Sequence, residues 1–341
     1  MSSSSINVNQ GAYRSIFEFS DRAIANRDQS TDSASKPSVY WQEYIRLFNY
    51  IRFLPETELE RIRFHTHHLN SDGYLEYKLS NKARRERLAE EYRYYADRLR
   101  FDGTEKGNAI GIDFNGQGLI NRDIIRYMMV LDDFDSSGKI TRGEALNFLE
   151  IGGGYGGLAR IIHERFAKAA YVLCDLEETL VFSAIYLTSR YGSENVHLVD
   201  RGGGVNLEPG HFYVVPQSVL ETLSFSEKFD VAINQESMQE MTRDTVERYC
   251  GYMRQHANYF YSCNIDQHLD CQNTGDLVHS LNDVLIQCFG TPVWETIHKA
   301  GWLERKARKS RTFKQWHRKL AAHPAWVYNT NVIVPRKLFK L

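Results

Sequence analysis

The sequence contains few cysteines and no long hydrophobic run, and each absence excludes a class of protein. Among its 341 residues are 5 cysteines, and no two lie close enough in the chain to form a C-x-x-C zinc or redox motif. An odd cysteine count without a secretory leader is typical of reduced thiols in a cytoplasm. No apolar stretch approaches the roughly 18 residues that a membrane-spanning helix requires. We therefore expect a cytoplasmic protein without a membrane span.

The chain also lacks an excess of charge of either sign. Its formal net charge is −1, so no overall positive field would attract nucleic acid. Residues 299–319 form one basic run interleaved with aromatic residues, which is more typical of a solvated helix face than of a patch for an anionic acceptor. The composition therefore argues against nucleic acid as a partner. It does not determine the oligomeric state.

Three regions differ in their residue pattern. Residues 1–36 are rich in Ser, Asn, Asp and Gln, which predicts a disordered polar tail, with at most a short helix near residues 13–24. Residues 37–140 have apolar residues at helical spacing, with helices expected at 84–99 and 121–132, and form a predicted helical cap region. Residues 141–341 form the predicted main domain.

In that main domain, short apolar runs alternate with helical stretches. Strands are expected at 146–151, 170–174, 212–215, 229–233, 259–263 and 326–334, and helices at 156–167, 177–191 and 242–255. Strand–helix alternation of this kind predicts an α/β fold with a parallel, doubly wound, Rossmann-like sheet.

A glycine-rich segment follows the first of these strands. Residues 149–157 read L-E-I-G-G-G-Y-G-G, which fits both the dinucleotide pattern G-x-G-x-x-G and the pattern E-x-G-x-G-x-G. Glu150 favours a ligand with a cationic end, such as S-adenosylmethionine, because a carboxylate would repel a pyrophosphate. Asp175 lies 21 residues after Gly154 and suits the ribose of either ligand.

The resemblance to one known family extends beyond the glycine loop. Residues 229–241 read F-D-V-A-I-N-Q-E-S-M-Q-E-M, which resembles the F-D-x-x-x-N-x-x-S-M-x-E-M motif of a family of predicted sugar O-methyltransferases. The glycine loop with its tyrosine, D-L-E-E-T-L at 175–180, Y-F-Y-S-C-N at 259–264 and the helix at 119–131 are similar in the same order. The resemblance covers about residues 119–264.

This resemblance implies a class I S-adenosylmethionine-dependent methyltransferase that methylates a sugar hydroxyl, in glycan or polysaccharide biosynthesis. It thus implies a small-molecule or glycan substrate. The residues expected to contact the cofactor are Glu150, Gly152, Gly153, Gly154, Tyr155, Gly156, Asp175, Gln217, Ser218 and Gln235. Of these, Gln217 and Ser218 follow the third strand of the main domain and are expected to face the adenine.

Methyl transfer to a hydroxyl requires a general base near the acceptor oxygen. Acceptors in this fold lie over the carboxyl ends of the strands, where the candidates are Glu236, Glu240 and His268. Glu240 follows Glu236 by four residues, which places both on one face if a helix continues there. Either carboxylate could instead bind Mg²⁺, which acidifies a bound hydroxyl. No metal-ligand set is predicted.

Three alternatives remain open at this point. The first is an O-methyltransferase for a non-sugar hydroxyl, such as that of a natural-product phenol, and the second is a nicotinamide-dependent oxidoreductase. The third is a calcium-responsive binding protein, because residues 133–144 (D-F-D-S-S-G-K-I-T-R-G-E) have the ligand spacing of an EF-hand loop. The next strand begins too soon for an exit helix, so a polar linking turn is favoured.

Overall fold

The computed structural model describes residues 6–30, 36–66, 69, 82–107, 109–140, 145–266, 280–299 and 333–341. The helices are α1 (Ile6–Gln29), α2 (Val39–Phe48), α3 (Glu56–Leu59), α4 (Lys82–Leu99), α5 (Arg122–Ser137), α6 (Gly157–Arg165), α7 (Leu180–Tyr191), α8 (Arg243–His256) and α9 (Leu281–Phe289). The strands are β1 (Ile112–Asp113), β2 (Leu119–Ile120), β3 (Asn147–Ile151), β4 (Ala170–Asp175), β5 (Val196–Leu198), β6 (Gly203–Val205), β7 (Phe212–Pro216), β8 (Leu223–Phe225), β9 (Phe229–Gln235), β10 (Ala257–Cys263), β11 (Trp294–Lys299) and β12 (Ile333–Lys340).

An eight-stranded sheet in the order β11-β12-β10-β9-β3-β4-β7-β5 organises the molecule. Strands β5, β7, β4, β3, β9 and β10 pair in parallel, whereas β12 runs antiparallel to both of its neighbours. From β3 the chain adds β4 beside it, passes to the edge strand β5, and returns to form β7 between β4 and β5. It then crosses to the other side of β3 to add β9. The gap between the carboxyl ends of β3 and β9 is therefore the topological switch point, where open α/β sheets bind ligands.

Helices cover both faces of this sheet because alternate residues of each central strand point to opposite sides. All five residues of β3 are buried: Phe148 packs in the core that includes residues of α6 and α7, and Leu149 in the core that includes residues of α8 and α9. Burial on both faces explains why the strands read as continuous apolar runs. The predicted α/β fold with a Rossmann-like sheet is confirmed.

Helix α1 occupies most of the segment that was predicted to be a disordered tail with at most a short helix near residues 13–24. The helix covers those residues and is longer than expected in both directions, so disorder is the wrong prediction for the rest of residues 6–29. Tyr13, Ile16, Phe19 and Ala23 are buried and recur every three or four residues, so they form one apolar stripe. Polar residues between them lower the average hydropathy of the segment, which obscured the stripe.

Two further expectations differ from the structure. The last strand, predicted at residues 326–334, lies at Ile333–Lys340, and residues 326–332 are outside the described residues. The EF-hand pattern begins inside α5, where Asp133 is buried and accepts a hydrogen bond from the Tyr261 hydroxyl at 2.7 Å. A carboxylate in that position cannot open a calcium loop.

The basic run at residues 300–319 also lies outside the described part of the chain. Within the described residues, no helix is long and apolar enough to cross a membrane.

Candidate active site

The glycine loop connects β3 to α6 at the switch point of the sheet. Gly152, Gly154 and Gly156 have φ angles of +76°, +56° and +86°, which favour glycine because it has no Cβ. A Cβ at Gly152 would lie 1.9 Å from Ser237 Oγ, so the loop also needs glycine for space. The Gly154 N–H donates to Asp175 Oδ2 at 2.7 Å. The carboxylate that ends β4 therefore fixes the centre of the loop.

A buried carboxyl group, Glu150, and a half-buried one, Asp175, flank the loop. Glu150 is 3% exposed and accepts a hydrogen bond from the Tyr171 hydroxyl at 2.8 Å. Burial raises the pKa of Glu150 to about 8 against that hydrogen bond, and the nearby Asp175 raises it further. Burial also raises the pKa of Asp175. Because both groups lack solvation, a nearby cation would favour their ionised forms, whereas a pyrophosphate would not.

The ends of β3, β9 and β10 are joined by one network of buried amides. The Asn234 side chain donates from Nδ2 to the Ile151 carbonyl at 2.7 Å and accepts from the Met238 N–H at 3.0 Å. The Asn264 side chain accepts from the Ser237 N–H at 3.1 Å, and Ser237 Oγ lies against Gly152. The N-x-x-S-M part of the motif thus holds the glycine loop in place.

Glu236 and Glu240 follow β9 but do not lie on one helical face as expected. Glu236 has a φ angle of +53°, and Glu240 ends a 3-10 turn, Met238–Glu240, so no α-helix runs through the pair. Arg126 of α5 holds Glu236 by an ion pair of 2.5 Å. Burial raises the pKa of Glu240 to about 8, the charge of Glu236 raises it further, and a hydrogen bond from the Trp41 side chain opposes both.

Trp41 comes from the N-terminal helical region, and sequence reasoning missed it. Its helix, α2, is held near the sheet by an edge-on contact between Phe48 and Phe182 of α7, with ring centroids 4.9 Å apart. Trp41 itself packs against Tyr44 and Phe48. The aromatic spacing in α2 predicted a helix, but nothing local in the sequence indicated its contact with Glu240.

The other predicted cofactor residues lie around the loop in different settings. Gln217 accepts a hydrogen bond from the Tyr249 hydroxyl at 3.2 Å. Ser218 Oγ is buried and has no hydrogen-bond partner among the described residues, so it could accept or donate a bond to a ligand. The Gln235 side chain donates to the Arg126 carbonyl at 3.5 Å.

Tyr155 is placed differently from the other residues of the loop. Its ring is buried beneath the Arg63 guanidinium, 4.0 Å from the ring centroid, and packs edge-on against Tyr186. Only the backbone of Tyr155 therefore belongs to the face of the loop at the switch point. Gly153 and Gly156 complete that backbone.

The third candidate base and the possible metal ligands have no position in the described part of the site. His268 lies outside the described residues. Among the residues that the structure describes, no group of three or more His, Cys, Asp or Glu side chains could hold a metal ion. The structure therefore offers no ligand set for Mg²⁺ within those residues.

Comparison with known proteins yields only distant structural similarities. The sequence matches no protein-family profile and no curated protein.

A candidate sarcosine dimethylglycine methyltransferase from Galdieria sulphuraria is 14% identical with a TM-score of 0.42, covering 74% of this chain and 98% of that one. Phosphoethanolamine N-methyltransferase 2 of Haemonchus contortus, with S-adenosyl-L-methionine, is 10% identical with a TM-score of 0.35, covering 74% and 56%. The mitomycin 7-O-methyltransferase MmcR is 11% identical with a TM-score of 0.32, covering 64% and 57%. The chain thus spans little more than half the length of the last two. With similarities this low, the function has to be argued from the site itself.

Proposed function

We propose that this chain is an S-adenosylmethionine-dependent methyltransferase, with its catalytic domain at residues 141–341 behind the helical region at 37–140. The observation that carries this proposal is the glycine loop at the switch point of the sheet, flanked by the buried Glu150 and the half-buried Asp175. A backbone that approaches a ligand closely suits any nucleotide. The flanking Glu150 and Asp175 favour a ligand that carries positive charge and a ribose over one that carries a pyrophosphate.

The residues around the loop fit such a cofactor. We assign Asp175 to the ribose hydroxyls and Glu150 to the ammonium end of the cofactor. The unpartnered Ser218 Oγ and the neighbouring Gln217 offer hydrogen bonds to adenine. When bound, S-adenosylmethionine supplies an electrophilic methyl group on a sulfonium, which a nucleophile displaces.

We further propose that the acceptor is a sugar hydroxyl and that Glu240 accepts its proton. A general base works best with a pKa near the working pH, and burial brings the pKa of Glu240 to about 8. The neighbouring Glu236, which pairs with Arg126, raises the pKa of Glu240 further through its charge. The ring of Trp41 beside Glu240 offers a flat apolar surface for a sugar, and the motif at residues 229–241 supports the same acceptor class.

The first experiment measures transfer of labelled methyl from S-adenosylmethionine to free sugars, nucleotide sugars, oligosaccharides and phenols, each with Mg²⁺ and with a chelator. Label in a sugar supports the full proposal, and sensitivity to the chelator would indicate metal ligands outside the described residues. Label only in a phenol would favour the natural-product alternative. No label anywhere, with binding of NAD(H) but not of S-adenosylhomocysteine, would overturn the methyltransferase proposal in favour of an oxidoreductase.

A further inference from the structure

Helix α1 is attached to the rest of the molecule by a buried ionic cluster beside the proposed cofactor site. Arg27 donates from Nη1 to Glu177 Oε2 at 3.1 Å and to Glu178 Oε2 at 2.7 Å. The Arg27 side chain is 7% exposed, and that of Glu177 is fully buried. Removal of the cation from such a pair destabilises the fold, because it leaves an uncompensated negative charge in the interior.

Glu177 connects α1 to two loops at the carboxyl ends of the sheet. It lies two residues after Asp175, and its main-chain carbonyl accepts a hydrogen bond from Ser20 Oγ of α1 at 3.1 Å. Its side-chain Oε1 accepts from the Ser218 N–H, which follows β7, at 3.3 Å. One buried carboxylate therefore ties the segment expected to bind the ribose to the segment expected to face the adenine.

A second contact places α1 along the same edge of the sheet. Arg22 forms an ion pair of 2.5 Å with Asp200, which follows β5. Arg27 contacts the segment that follows β4, and through Glu177 it is linked to the segment that follows β7. Helix α1 is therefore connected to the ends of three neighbouring strands, β4, β7 and β5. These strands lie on the side of the switch point that holds the nucleoside half of a cofactor in this fold.

We propose that Arg27 is a positioning residue of the cofactor site, which acts through Glu177 to hold the Asp175 and Ser218 segments in the conformation that binds a nucleoside. This inference rests on the proposed methyltransferase function. Without Arg27, Glu177 would either take up a proton or turn toward water, and in both cases its bond to the Ser218 N–H would weaken. Helix α1 would then contribute to cofactor affinity although it contributes no residue that touches the cofactor.

The test compares Arg27→Gln, Arg27→Lys and the control Arg14→Gln in the full chain. Arg14 lies on the same helix but is 83% exposed and pairs with Glu18 one turn away. The probes are S-adenosylhomocysteine and 5′-methylthioadenosine, which share the nucleoside but not the amino-acid end, with Kd measured by calorimetry. We expect Arg27→Gln to weaken both by about the same factor, at least about tenfold. Arg27→Lys should recover part of this loss, and Arg14→Gln should bind as the wild type does.

A second pair of variants separates positioning from folding. Glu177→Gln keeps an acceptor for the Ser218 N–H but removes the buried charge, so it should tolerate loss of Arg27. We expect Glu177→Gln and the double variant Arg27→Gln/Glu177→Gln to have the same Kd. An unchanged Kd in Arg27→Gln would overturn the inference. So would a double variant that binds more weakly than Glu177→Gln by the same factor as Arg27→Gln binds more weakly than the wild type. If wild type itself bound neither probe, the proposed function would fail instead.

Discussion

Gly154 combines three constraints in one residue: a positive φ angle, a hydrogen bond to Asp175 and little space. A Cβ at this position would lie 3.0 Å from the Leu69 carbonyl oxygen. We expect Gly154→Val to abolish binding of S-adenosylhomocysteine, as measured by calorimetry, because the backbone would have to leave the conformation that approaches the ligand. A left-handed valine costs about 1–2 kcal/mol in any case, so stability must be controlled separately.

Gly116 provides the matched control for that strain. Its φ angle is +73° and a Cβ there would meet nothing within 4 Å, away from the glycine loop. Gly116→Val should lower the melting temperature through the same left-handed strain, yet bind the ligand normally. Equal loss of binding in both variants would show that general destabilisation, rather than the loop, accounts for the effect.

Glu240 allows a pH test at the same scale. Its raised pKa of about 8 means that a base at this position becomes active as pH rises through about 8, so turnover should rise with it. Glu240→Gln should slow turnover by about 10²–10⁴-fold and remove this limb of the pH–rate profile. A variant that kept the wild-type profile would exclude Glu240 as the base.

The same pKa shift makes a separate prediction for stability. The fold favours the protonated form of Glu240, so its contribution is present below the ordinary value of 4.5 and is lost as pH rises through about 8. Glu240→Gln does not ionise and should not show that loss. Its melting temperature relative to the wild type should therefore be higher at pH 9 than at pH 5, and a constant difference would contradict the burial of this group.

Among elements, the link between β3 and β9 depends on Asn234. Removing its amide leaves the buried Ile151 carbonyl and Met238 N–H without partners, which costs about 1–3 kcal/mol for each unsatisfied group. Asn234→Ala should lower the free energy of unfolding in urea. It should also weaken S-adenosylhomocysteine binding, because Gly152 loses the support of the turn that follows β9.

Asn195 is a suitable comparison because its amide also donates to a backbone carbonyl, that of Tyr191, at 2.7 Å. It lies at the end of α7, away from the glycine loop. Asn195→Ala should destabilise the fold without changing the Kd. If both variants changed Kd to the same extent, the Asn234 bonds would have no specific role at the site.

Elements differ in how far their sequences predicted them. The parallel strands β3, β4, β7, β9 and β10 were predicted because each is buried on both faces and therefore reads as an apolar run. The predicted bounds of strand β12 were wrong because the strand contains charged residues, which an apolar pattern does not include. Arg336 and Lys337 are buried there through partners on other elements, and a pattern of apolar residues cannot indicate this. The length of helix α1 was underestimated for the related reason that its apolar stripe is narrow.

For the molecule as a whole, the unpredicted part of the site consists of contacts between distant segments. The glycine loop and Asp175 are local patterns with a fixed spacing, so the sequence alone indicated them. Arg27 meets Glu177 across 150 residues, and Trp41 reaches Glu240 across a still longer separation. Such pairs depend on how helices pack on the sheet, and no single stretch of sequence encodes that packing.

A last prediction concerns the ion pair that joins the C-terminal strand to the helical region. Arg336 of β12 lies 2.8 Å from Asp133 of α5, which is 3% exposed and also accepts from the Tyr261 hydroxyl. Burial raises the pKa of Asp133 from 3.8 to about 7, and Arg336 limits that rise. The contribution of Asp133 to stability is therefore present below its ordinary pKa and declines as pH rises through about 7.

Arg336→Gln removes the cation, so the pKa of Asp133 should rise further and the decline in stability should continue to higher pH. Because the wider pH window leaves the ionised carboxylate unpaired at high pH, we expect the variant to lose about 3–5 kcal/mol of unfolding free energy at pH 9, measured in urea. The loss should be much smaller at pH 5, where the carboxyl group is neutral. Adding Asp133→Asn should remove most of this pH dependence, because no buried charge remains and the Tyr261 hydroxyl retains an acceptor. Equal losses at both pH values would mean that Arg336 stabilises the molecule by packing rather than by charge, and that the C-terminal strand is not held to α5 by this pair.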